Sequence, residues 1–195
     1  MNKRWSLSIV AALLAASTTS ADAGAGDWLG RVRLLSINPD VDSSLPGLDV
    51  SSEVAPEVDV SYFLTNHLAL ELVATDRKFN VSLNGAPLGS VKVLPPTLLL
   101  QYHFTPGQPF SPYVGAGINY TRFHDVNLAS PLSLDKESWG AALQVGFDVA
   151  LNERFSFNLD LKKVFIKTDV NSAGAPLTDL KIDPWIIGAG LGMKF

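Results

Sequence analysis

Large apolar side chains recur at every second position over much of the chain. In 138–151, Trp139, Ala141, Leu143, Val145, Phe147, Val149 and Leu151 alternate with Gly140, Ala142, Gln144, Gly146, Asp148 and Ala150. Phe155, Phe157, Leu159 and Leu161 alternate with Ser156, Asn158, Asp160 and Lys162. Leu68, Leu70 and Leu72 oppose Glu71, and Val58, Val60 and Tyr62 oppose Asp59 and Ser61. A period of two belongs to strands with unlike faces. It predicts eight strands, at 28–37, 54–64, 67–79, 92–104, 112–123, 138–151, 154–168 and 181–195. No helical period follows the first residues, and there is no solenoid or propeller repeat.

The connections alternate in length. Thr65-Asn66, 105–111 and Asn152-Glu153 are short; 38–52, 80–91, 124–137 and 169–180 are long and rich in turn formers. Short turns at one end and longer loops at the other, with an even number of strands, characterise barrels of bacterial outer membranes.

Alternation alone does not say which face meets water. A soluble barrel also alternates, with its apolar face inward and an exterior rich in Lys and Glu. Here the weaker face is mostly Gly, Ala, Ser, Asn and Gln with scattered charges. In the last strand it is Gly188, Gly190, Gly192 and Lys194, against Trp185, Ile187, Ala189, Leu191, Met193 and Phe195. Small residues suit the interior of an eight-stranded barrel, which is only just wide enough for side chains. The bulky face then points to lipid, and the sheet must close because a bilayer tolerates no open edge. The expected fold is all-β: an eight-stranded antiparallel up-and-down transmembrane β-barrel. Trp28, Tyr62, Tyr102, Phe104, Tyr113 and Phe195 fall near strand ends on the short-turn side and are expected to form part of an aromatic girdle.

Composition agrees. Charged residues make up 17% of the 195-residue chain, below the roughly 25% usual for soluble domains. The absence of cysteine excludes thiolate chemistry, disulfides and cysteine-held metal. A net charge of −4 without a basic block leaves nucleic acid no footprint. Lys3 and Arg4, an apolar run from Trp5 to Ala16, and Ala21-Asp22-Ala23 read as a cleaved secretory signal over 1–23. The barrel domain is expected over 24–195.

Parity places Arg31, Arg33, Glu57, Asp59, Glu71, Asp148, Asp160, Lys162 and Lys194 inside. In a narrow lumen such charges must pair, because an unpaired buried charge is costly. They form either a polar plug that forbids straight-through flow or a filling that stiffens the barrel. Pro95 and Pro96 cannot donate to a ladder. Either they open a lateral gap, with Pro56 helping from the second strand, or the fourth strand simply begins at Thr97. Leu35, Ile37, Val93 and Leu99 share the inward parity and would line an apolar path. His67 and His124 are expected in solvent, and His103 in the lumen. No histidine sits in a metal-ligand pattern and no glycine run precedes a helix, so no cofactor or metal is expected. A catalytic set would need His124 with Asp125, Ser130 or Ser133 in one loop; the expectation is that the protein is not an enzyme.

The blocks "FLTNHLALEL" around the first short turn, "LQYHF" at 100–104, "PYVGAGINYT" at 112–121 and "IDPWIIGAGLGMKF" at 182–195 occur in order along nearly the whole barrel region. In these the chain resembles the OmpW/AlkL family of eight-stranded outer-membrane barrels. The resemblance implies passive uptake of small hydrophobic molecules: entry from outside through an apolar funnel, a blockage lower in the lumen, and sideways release into the bilayer. It implies contact with outer-membrane lipids and lipopolysaccharide, apolar solutes as cargo, and a bacterial outer-membrane location. The terminal Phe195 looks like the signal read by the barrel-assembly machinery. A barrel this narrow can act as a monomer. The alternative is a non-transporting barrel that serves envelope integrity or surface contact through its loops.

Overall fold

The computed structural model describes residues 23–195, so the expected leader lies outside the described residues except for Ala23. The strands are β1 (Trp28–Asn38), β2 (Asp42–Ser43), β3 (Leu48–Val50), β4 (Glu53–Phe63), β5 (Leu68–Ala74), β6 (Arg77–Leu83), β7 (Ala86–Leu94), β8 (Thr97–His103), β9 (Phe110–Leu128), β10 (Leu132–Leu134), β11 (Glu137–Ala150), β12 (Phe155–Val164), β13 (Lys167–Ser172), β14 (Ala175–Lys181) and β15 (Trp185–Lys194). Eight of them, β1, β4, β5, β8, β9, β11, β12 and β15, pair antiparallel in a closed ring. The ring closes through β1–β15, with Val32 opposite Leu191, and through β9–β11, with Ile118 opposite Ala141.

The long connections are themselves built of strands, unlike the loops expected from their turn formers. β6–β7 and β13–β14 are hairpins with two-residue turns, Asn84-Gly85 and Ala173-Gly174. Both turn residues have positive φ, 50° and 78° in the first and 51° and 82° in the second. This is the primed-turn geometry that matches strand twist. β3 and β7 extend the main sheet through β6 and β9, and β10-β13-β14-β2 forms a second, four-stranded sheet. β9 alone runs for 19 residues, twice the roughly 9–11 needed to span a bilayer. The predicted third and fourth strands divide in consequence, at Thr75-Asp76 and at Pro95-Pro96; the seventh and eighth divide at Phe165-Ile166 and 182–184.

Polarity runs as the alternation requires in the lower barrel and reverses above it. Along β1 the inward residues are Arg31, Arg33, Leu35 and Ile37, all buried. The outward ones are Val32 and Leu34, each 62% exposed, then Ser36 and Asn38. β12 and the residues after it repeat the change: Asn158, Asp160 and Lys162 inward, then Val164 and Ile166. On the β6–β7 hairpin Phe79, Val81, Val91 and Val93 are inward, while Lys78 and Asn80 are exposed. A wall facing hydrocarbon must be apolar outside, and a wall facing water must be polar outside. The reversal therefore marks the outer membrane boundary.

Aromatic pairs flank the apolar belt. Trp28–Tyr62 and Tyr102–Phe104 stand near the short turns, with ring centroids 4.9 and 5.2 Å apart. Near the outer boundary, Tyr120 and Trp139 lie 4.8 Å apart, and Lys163 caps the Trp185 ring at 4.9 Å. Tyr113 is a correction: it is fully buried in the lumen. It shares the parity of Gly115 and Gly117, and its hydroxyl is held by hydrogen bonds inside the barrel.

Candidate functional site

Arg31, Arg33, Asp59, Glu71, Asp148, Asp160 and Lys162, the seven plug residues expected from parity, come together with Glu57 across the mid-lumen. The Arg31 guanidinium donates twice to Asp148, from Nε at 3.2 Å and Nη2 at 2.7 Å, and reaches Asp59 at 3.3 Å and the Ser61 hydroxyl at 3.0 Å. Arg33 pairs with Asp59, donates to Glu71 and to Asn158 at 3.0 Å each, and lies 2.8 Å from Glu57. Its Nε–H is not aimed along that last contact, which leaves it the buried side-chain atom without a hydrogen bond among the described residues. Lys162 donates to Glu57 at 2.9 Å and to Asp160 at 2.6 Å.

Neutral side chains that parity had not singled out complete the network. Gln144 donates to Glu71 at 2.9 Å and to Asp160 at 2.8 Å, and Gln101 donates to Gln144 at 3.0 Å. The Tyr113 hydroxyl donates to Asp160 at 2.9 Å and accepts from Asn158 at 3.0 Å. His103 lies within 3.3 Å of Gln101 and 3.4 Å of Ser111, in the lumen as expected. Three cations meet five carboxylates, an excess of two negative charges when all are ionised. Lys194 is only half-buried and lies 4.0 Å from Asp27, near the short turns.

Glycines make the crossing tight. A Cβ on Gly190 would stand 2.0 Å from the Val32 carbonyl oxygen and 2.7 Å from the Arg33 Cα. No side chain fits there, and the arginines fill the space instead.

Above the network the interior turns apolar. A cavity of about 1040 Å³, its open mouth included, is lined by Ile37, Val50, Val73, Phe79, Val81, Val93, Phe123, Val164, Ile166 and Ile186 among others. Glu57, Lys162, Thr75 and Thr97 are its few polar lining residues, and Pro95 lines it as well. Leu35, Ile37, Val93 and Leu99 are buried in the surrounding apolar cluster; Ile37 and Val93 reach the cavity surface.

The wall is interrupted beside this cavity. β5 and β8 pair as far as Val73 opposite Thr97, and β6 and β7 resume at Arg77 opposite Val93. Ala74–Asp76 and Leu94–Pro96 thus face each other without a ladder. β8 does begin at Thr97, yet Pro95 and Pro96 break a continuing pair of strands rather than belong to a loop. Their carbonyls are held from β9, by Tyr120 N–H on Pro96 at 3.0 Å and Asn119 on Pro95 at 3.2 Å. On the other flank the β4–β5 ladder stops at Val58 opposite Ala74. Pro56 lies just above that point with its ring outward, and its carbonyl accepts from the Thr75 hydroxyl at 2.7 Å. The Arg77–Glu53 ion pair at 2.9 Å and the β3–β6 ladder close the wall higher up. Two ladder breaks therefore flank Thr75-Asp76, one on each side.

Of the remaining candidates, Phe195 is 61% exposed and exchanges backbone hydrogen bonds with Trp28. His67 is exposed at its turn and bonds the His103 carbonyl at 2.8 Å. His124 lies 3.6 Å from Asp76 on the outer wall.

An apolar belt between aromatic rims, a closed polar lumen and a strand-built outer extension define an eight-stranded outer-membrane barrel. The OmpW family profile matches residues 25–195. The chain is 41% identical to the outer-membrane protein y4mB of Sinorhizobium fredii, over 93% of this chain and 86% of that protein. It is 35% identical to outer membrane protein W of Vibrio cholerae, over 97% of each. The dibenzothiophene metabolism operon protein PahQ of Pseudomonas aeruginosa is 31% identical over 58% of this chain and 56% of its own length. The crystal structure of OprG from Pseudomonas aeruginosa superposes with a TM-score of 0.80 at 33% identity, covering 90% of this chain and 98% of that one. The chain belongs to the OmpW family, and its place is the outer membrane.

Proposed function

We propose that the protein carries small apolar solutes passively inward across the outer membrane. A solute leaves water in the outer cavity, is turned aside by the ion-paired floor, and exits through the wall at the ladder breaks beside Pro56, Pro95 and Pro96. The carrying observation is the cavity itself: its lining is overwhelmingly apolar, it ends on the Glu57–Lys162 pair, and it reaches the interrupted ladder at Val73, Thr75, Pro95 and Thr97. Burial of apolar area drives entry, at roughly 25 cal/mol per Å². The network below excludes the straight route, because opening it means separating buried charges. PahQ, by its name, belongs to an operon for metabolism of an apolar aromatic compound, which agrees with this class of cargo. The reading assigns the protein no catalytic step, a monomeric state, and assembly through a machinery that reads Phe195.

The test uses asymmetric vesicles with lipopolysaccharide in the outer leaflet. The protein should speed entry of an apolar fluorescent probe. Pro95→Ala with Pro96→Ala, which restores two ladder donors, should slow it. No acceleration by the wild type, or an unchanged rate in the double variant, counts against the lateral route. A barrel serving only envelope integrity or surface contact would respond to trimming of β6–β7 and β13–β14 and not to the prolines.

A further inference from the structure

The floor of the cavity is chemically specific. Glu57 and Lys162 both line it, and their side chains are each 2% exposed. Glu57 Oε1 takes both of its cations, Lys162 at 2.9 Å and Arg33 at 2.8 Å. Among the described residues no donor is bonded to Oε2. Lys162 spends two of its three N–H groups, on Glu57 and Asp160, and the third finds no acceptor among the described residues. The other polar groups at the wall are occupied. Thr75 donates to Pro56, and Thr97 donates to Pro95 and accepts from Asn119. An apolar chamber thus ends on one free acceptor beside one free donor.

We propose that the cavity selects amphipathic molecules, apolar along the body and ending in a hydroxyl, with that hydroxyl seated between Glu57 and Lys162. The proposal rests on the uptake reading and names its substrate class. A hydroxyl is both donor and acceptor, so it satisfies Oε2 and the lysine N–H together. An alkane satisfies neither. An ether accepts from the lysine but leaves the carboxylate unbonded. A carboxylate head meets Glu57 in a network whose five carboxylates outnumber its three cations, so like charge opposes it. Groups left unpaired in an apolar site are what discriminates between otherwise equal ligands.

The test places the full barrel in detergent-free lipid nanodiscs with N-phenylnaphthylamine bound in the cavity. n-Octanol, its methyl ether and octanoate then compete, each at known concentration in the lipid phase. With wild type, octanol should displace the dye at about one-tenth the concentration the ether or octanoate requires. Glu57→Gln removes one negative charge and can turn an amide N–H toward the cavity. It should bring octanoate and the ether to within about threefold of octanol, each ratio referred to the dye affinity measured in that same variant. Equal displacement by octanol and its ether in wild type overturns the head-group site and leaves the uptake reading standing. This comparison needs no variant to fold. Failure of the dye to bind at all overturns both.

Discussion

Arg33 is the most connected charge in the lumen, and its removal is the sharpest perturbation of the floor. It pairs with Asp59, lies 2.8 Å from Glu57, 3.0 Å from Glu71 and 3.5 Å from Asp160, and bonds Asn158 at 3.0 Å. Arg33→Met keeps much of the volume but leaves two cations facing five carboxylates. Breaking a buried ion pair from one side typically costs about 3–5 kcal/mol, because the partner charge stays buried and uncompensated. Glu71→Gln added to Arg33→Met restores the original excess of two and keeps the acceptor for Gln144. The double variant should therefore recover more than about 1 kcal/mol over the sum of the single changes, a coupling expected for groups in one network. Urea unfolding from lipid vesicles, followed by the fluorescence of the outward Trp28, Trp139 and Trp185, reads both quantities. A cost below about 1 kcal/mol for Arg33→Met, or strict additivity in the double variant, would refute the account of the floor as a mutually dependent network.

Leu191→Arg places a charge on the lipid face and should cost about 2–4 kcal/mol if it lies near the bilayer midplane; a neutral result in the same unfolding assay would contradict the orientation of the strands. Gly190→Ala should sharply reduce the heat-modifiable, folded band on a gel, since the new Cβ meets backbone at 2.0 Å, whereas Gly30→Ala, whose nearest neighbour is the Phe195 ring at 3.4 Å, should fold normally. Tyr113→Phe should lower stability by about 1–3 kcal/mol, because Asp160 loses a buried donor and Asn158 an acceptor.

Much of the barrel is legible in side-chain parity, because strand geometry ties sequence position to face with a period of two. The seven plug residues lie on five staves, and parity alone brings them inside. What parity misses is vertical position. Tyr113 reads as a rim residue by type and by its place near a strand end, yet Gly115 and Gly117 on the same face already mark that face as the lumen. The outer hairpins were legible too: Asn84-Gly85 between alternating apolar residues is a strong short-range turn signal. It is obscured here by the abundance of turn formers around it. The cavity is hardest to read, because Phe79, Val81, Val91 and Val93 alternate like membrane strands but turn their apolar face inward. Only the location of the membrane boundary decides which way an alternating strand faces.

An apolar solute that has entered the cavity has two ways out, through the wall at the ladder breaks or down through the ion-paired floor. A diazirine-bearing octanol analogue, photoactivated in vesicles and mapped by mass spectrometry, reports this directly among inward-facing residues. Adducts are expected on Val73, Thr75, Val93 and Pro95, which line the cavity and its ladder break. Adducts on Gln101, Ser111 and Ser156, lumen residues toward the short turns, would show passage through the floor and contradict the lateral route.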